Sequence, residues 1–199
     1  MSGPMPEPFS DRASGELEAP RPIVPTPATM GGQLRGRRIL VGAPGLGWRA
    51  DLRADEKVIQ GSRTYVPVMA EAEWYRAESE QTEVFAALVP VERVWVEEYG
   101  FPGMREPEVP VTRLVSLDEP PRRPPIPAGD SGLLTGRRVV RLLEDGREQR
   151  GLRAVTELYT SDCGDICLRV AEELDWYRWA WDGKTPRTLE MPAHLTWVE

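Results

Sequence analysis

Glu173-Leu174-Asp175-Trp176-Tyr177-Arg178 has an earlier twin, Glu71-Ala72-Glu73-Trp74-Tyr75-Arg76, and this pair decides how the chain is read. The same offset of 102 residues carries Pro90 and Trp95-Val96-Glu97 onto Pro192 and Trp197-Val198-Glu199. Upstream the offset is 100: Gly36-Arg37-Arg38-Ile39 answers Gly136-Arg137-Arg138-Val139, and Leu52-Arg53-Ala54 answers Leu152-Arg153-Ala154. Two residues are therefore inserted between Ala154 and Trp176. Self-similarity at a fixed offset marks a duplicated module. We expect an all-β protein with a flexible proline-rich arm over 1–35, a small barrel over 36–97, a proline-rich linker over 98–135 and a second barrel over 136–199.

Each copy is small. A unit of about 60 residues buries only about 60% of the surface its unfolded chain exposes, so every large apolar side chain counts, and seven tryptophans fit that need. Net charge is −7 over the chain, with 8 basic against 10 acidic residues in the first copy and 10 against 12 in the second. Neither copy carries a basic nucleic-acid footprint. No run approaches the length of a membrane span, and Met1-Ser2-Gly3-Pro4 lacks a signal-peptide pattern. Two cysteines build no disulfide framework, so a cytoplasmic protein is expected.

Residues 1–35 hold seven prolines and few large apolar groups, too few to offset the entropy of ordering. The linker repeats this character with eight prolines, and its Pro120-Pro121-Arg122-Arg123-Pro124-Pro125-Ile126-Pro127 favours a stiff polyproline spacer. Between arm and linker, Arg37–Val41, Trp48–Ala54 and Thr64–Met69 have strand composition. Ile39-Leu40-Val41 before Gly42 and Gly47 imitates a strand entering a phosphate loop, but Trp48 stands where lysine must be and no Ser or Thr follows. The second copy has Asp145-Gly146 at that place, a hairpin signal, and a hairpin is expected in both. Ala70–Leu88 alone has helical composition. Its copy contains Trp181-Asp182-Gly183-Lys184-Thr185-Pro186, a turn that would interrupt a helix, so strand, turn, strand is expected in both copies and each barrel has five strands.

Asp175-Trp176-Tyr177-Arg178, a turn at Gly183, and Pro192 before a short 3₁₀ turn and a final strand together resemble the second half of an SH3-like barrel, where a tryptophan opens the third strand. Glu73-Trp74-Tyr75-Arg76 and Pro90 give the same pattern. The resemblance implies a groove built on Trp74 and Pro90, or Trp176 and Pro192; the groove tyrosine of peptide-binding members is replaced by Arg93 and Leu195.

Successive side chains on a strand face opposite ways. If these segments are strands, Trp74 and Tyr75, and Trp176 and Tyr177, cannot enter one core together, and Trp95 and Trp197 stand between inward-facing neighbours. An aromatic patch for a protein or peptide partner is expected from Trp74, Tyr75, Pro90 and Trp95, repeated as Trp176, Tyr177, Pro192 and Trp197. Such a protein is a non-enzymatic adaptor or assembly component needing no cofactor. The alternative is a Tudor-like or KOW-like nucleic-acid-associated regulator using Arg37, Arg38, Arg137 and Arg138. Cys163, Cys167 and His194 occur in one copy only and suggest no metal site, and no catalytic grouping can be built from repeated residues.

Overall fold

The computed structural model describes residues 18–43, 47–101 and 120–199, which divide into two compact units, one over Arg21–Pro124 and one that includes Pro125–Glu199. In the first unit the strands are β1 (Ile23–Pro27), β2 (Arg38–Ala43), β3 (Gly47–Ala54), β4 (Val58–Gln60), β5 (Arg63–Ala70), β6 (Ala87–Pro90) and β7 (Val94–Tyr99). The second unit has β8 (Ile126–Pro127), β9 (Arg138–Leu142), β10 (Glu148–Ala154), β11 (Tyr159–Thr160), β12 (Ile166–Glu172), β13 (Leu189–Pro192) and β14 (Thr196–Val198). Each unit is one antiparallel seven-stranded sheet, ordered β1-β7-β2-β3-β5-β4 with β6 also on β5, and β8-β14-β9-β10-β12-β11 with β13 also on β12. The two orders are the same, so the fold is a duplicated all-β, barrel-like module.

A bulge at one place bends both sheets. The register slips between Ile39 and Val41 in the β2–β3 pair and between Gln149 and Leu152 in the β9–β10 pair. Gly151 adopts φ +75° there, and Asp51 takes φ +55° in the first copy. A residue of positive φ at a bulge kinks its strand and strengthens the twist. Beneath the bend lie the cores, with Ile39, Leu52, Val66 and Val96 in one copy and Val139, Leu152, Leu168 and Val198 in the other.

Three expectations are corrected. Residues 18–35 are not a flexible arm: β1 pairs with β7 along its whole length, and Ala28 and Leu34 are buried in the first core. Ile23, Ala28 and Leu34 fall at buried positions while Met30 stays exposed, a pattern that an average over the stretch hides. The far end of the linker is likewise structural, since β8 pairs with β14 and Ala128 and Leu134 are buried in the second core. The rest of the expected arm and spacer, 1–17 and 102–119, lies outside the described residues.

The third correction concerns Ala70–Leu88 and its copy. Both form a helix, α1 (Glu71–Glu80) and α2 (Glu173–Asp182), before the short strands β6 and β13. Gly183 is the left-handed residue that ends α2 at φ +69°, and its N–H donates to the Trp179 carbonyl; Gln81 does the same for α1 at φ +54°. A glycine after a helix and a glycine in a hairpin turn look alike in sequence. Glu71 and Glu73, or Glu173 and Asp175, place carboxylates in the first turn, where the helix dipole favours them.

Candidate functional site

The residues shared by the copies meet where helix joins sheet. Glu71, 1% exposed, begins α1 and accepts from Arg38 Nε at 2.7 Å, and Arg53 Nε lies 2.9 Å from the same carboxylate oxygen. Arg53 also donates to the Gly36 carbonyl at 2.8 Å and to the Tyr75 hydroxyl at 2.9 Å. One guanidinium thus ties together the first strand's approach, the helix and its own strand. In the second copy Arg153 lies 3.3 Å from Glu173 and donates to Gly136 O at 2.9 Å and Tyr177 Oη at 2.7 Å, with Arg138 buried.

Helical geometry explains why Trp74 and Tyr75 act together. Consecutive helical residues are about 100° apart rather than opposed, so both rings can lean on the sheet. Tyr75 bonds Arg53, while Trp74 packs over Gly36, where an added Cβ would sit 3.2 Å from the ring at a backbone φ of +74°. Trp176 covers Gly136 in the same manner. Pro90 and Pro192 end β6 and β13, each before a 3₁₀ turn, and Pro192 is buried.

The last strands differ. Trp95 faces away from the core that Val94 and Val96 enter, is half-buried, and meets Trp48 edge to face at 6.2 Å. Beside them Arg93 Nε donates to the Gly42 carbonyl at 2.9 Å. Trp197 is 6% exposed and clusters with Val140 and Leu142. The exposed aromatic of the second unit is instead Trp179, 41% exposed and edge-on to Trp176 at 5.7 Å, with Leu174 exposed on the same helix. Sequence reasoning missed Trp48 and Trp179 because it used residues the copies share. Their signal was the difference between copies, Trp48 against Glu148 and Trp179 against Ala77.

Of the four first-strand arginines, Arg38 pairs with the buried Glu71, Arg138 is buried, Arg37 pairs with Glu98 at 3.1 Å, and Arg137 is exposed. Cys163 lies in an exposed turn with its sulfur 3.0 Å from Ser161 Oγ, while burial pushes the Cys167 thiol up, which disfavours the reactive thiolate. His194 is exposed on the last 3₁₀ turn. Among the described residues no group of three or more His, Cys, Asp or Glu could hold a metal ion, and no helix is long and apolar enough to cross a membrane. Compared with protein-family models, curated proteins and solved structures, the chain matches none.

Proposed function

We propose that this is a non-enzymatic protein-binding module, a tandem of two SH3-like barrels serving as an adaptor or assembly component. Its partner is anchored by one aromatic pair in each copy, a ring that the copies share beside one that they do not: Trp176 with Trp179 on α2, and Trp95 with Trp48 on the outer face of the first sheet. The SH3-like reading draws support from the proline, 3₁₀ turn and closing strand that end each copy. One observation carries the binding reading. A large ring stands 41% exposed against a second one, Trp176, on a helix whose counterpart has Ala77 at that place, and tryptophan is among the residues that most often anchor a protein interface.

Trp179→Ala in the full chain tests this by affinity capture from the protein's own cell extract, with nuclease added. A protein retained by the wild type and lost by the variant is the expected result. Equal retention by both would remove Trp179 from the interface. Loss of every partner on nuclease treatment would move the reading to nucleic acid and to Arg137.

A further inference from the structure

The outer edge of β1 is closed by residues that follow the last strand of the first copy. Backbone parity fixes which groups face outward. Ala28 N–H donates to Val94 O and Gly100 N–H to Pro22 O, both at 2.9 Å, so even-numbered residues of β1 bond inward to β7. Ile23, Pro25 and Pro27 consequently face out. Pro25 and Pro27 have no N–H to offer a further strand, and Ile23 is occupied: its N–H donates to Arg123 O, and Arg123 N–H donates to Ile23 O, both at 3.0 Å. From that anchored backbone the Arg123 side chain reaches Glu97, whose own side chain is 4% exposed, and forms an ion pair with it.

The second copy meets the same need differently. Glu199, the counterpart of Glu97, pairs with Arg150 of β10, from its own sheet. The first copy has Ala50 at that position, and the arginine arrives from 26 residues further along the chain.

We infer that the Ile23 edge and Glu97 form a recognition site for an extended, arginine-bearing segment, and that Pro120–Arg123 is a strap filling it from the same chain. Such a site works by strand addition, with backbone bonds giving affinity and a charged recess selecting the side chain. The strap keeps the edge closed to other chains, and its release opens the site to an arginine-bearing strand of a partner.

Amide exchange on the full-length protein tests this, with Arg123→Ala and a synthetic peptide of sequence 120–127 as the probe. The Ala54 amide, which donates to Arg37 O at 3.0 Å, is the control for the fold. The variant is expected to exchange the Ile23 amide about tenfold faster or more with Ala54 unchanged, as loss of a charge-assisted bond implies. Added peptide should restore Ile23 protection in the variant and leave the wild type unaltered. Unchanged Ile23 protection in the variant would overturn the strap, and release without rescue by peptide would overturn the recognition site. Should Ala54 lose protection too, Arg123→Gln, which keeps most of the side chain's length and leaves Glu97 in place to receive the peptide, is read by the same two criteria.

Discussion

In the first copy two tryptophans, Trp48 and Trp95, meet on the outer face of the sheet, whereas in the second Trp48 gives way to Glu148 and Trp197 is buried beside Val140 and Leu142. The helices differ in the opposite sense: α1 has Ala72, Ala77 and Ser79 where α2 has Leu174, Trp179 and Trp181. Against this divergence, the arginine–glutamate–tyrosine cluster and the glycine under the helix tryptophan are the same in both. Duplication has separated two kinds of residue. Those held in common fasten helix to sheet, and those that differ decorate the surfaces by which the copies could act differently.

The largest effects should come from the common part. Glu71→Ala leaves Arg38 and Arg53 facing a vacated buried site, and removing one partner of a buried ion pair costs about 3–5 kcal/mol. Glu173→Ala should cost the second copy a similar amount, since Arg153 makes the corresponding contacts. Denaturant titration followed by amide signals of each unit separately would measure both. A loss of less than about 1 kcal/mol in one copy alone would break the equivalence of the two clusters.

The tryptophans sharpen the contrast. Trp197, 6% exposed, should cost about 3–5 kcal/mol on change to alanine, while the half-buried Trp95 should cost less. Trp179→Ala should fall within about 0.5 kcal/mol of the wild type, as surface changes do. Urea midpoints of the three variants test the order. If Trp179→Ala matched Trp197→Ala, the exposed ring would be a packing residue and the partner surface on α2 would lose its support.

How far the sequence discloses this depends on which copy is consulted. The offset between Trp74-Tyr75 and Trp176-Tyr177 reveals the duplication, and the strand composition of Arg37–Val41 and Trp48–Ala54 finds β2 and β3. The helices were hidden because Gly183 in one copy looks like a hairpin turn, and the requirement that both copies share one fold then passed that misreading to Ala70–Leu88, whose own composition is helical. The strand at Ile23–Pro27 was hidden because prolines argue against a ladder, yet here they stand on the outward side, where no N–H is needed. The candidate patch followed shared aromatics, of which Tyr75 and Tyr177 bond to Arg53 and Arg153. Trp48 and Trp179 become visible only when the copies are compared for what they do not share.

The smallest expected difference lies in the loop before β2 and β9. In the second copy the Glu157 carboxylate accepts the N–H groups of Leu134 at 2.9 Å and Thr135 at 3.0 Å and the Thr135 hydroxyl at 2.8 Å. These donors favour the ionised form and hold its pKa below the usual 4.5, the Thr135 N–H contributing most. In the first copy Lys57 helps tie the corresponding loop, donating to the Gly31 carbonyl at 2.8 Å. A carboxyl with a depressed folded pKa stabilises the fold above its unfolded value and loses that contribution as pH falls through the folded one. Exchange at the Leu134 amide, corrected for intrinsic rate, should therefore accelerate as pH drops below about 4.5. The bond from Lys57 to the Gly31 carbonyl involves no carboxylate, so it should be unaffected by the same acidification. Glu157→Gln should make the Leu134 amide exchange faster at higher pH and abolish its acid dependence. If the variant kept the wild-type profile, the acid sensitivity would have to come from another carboxylate, and the two loops would differ in composition without differing in how they are held.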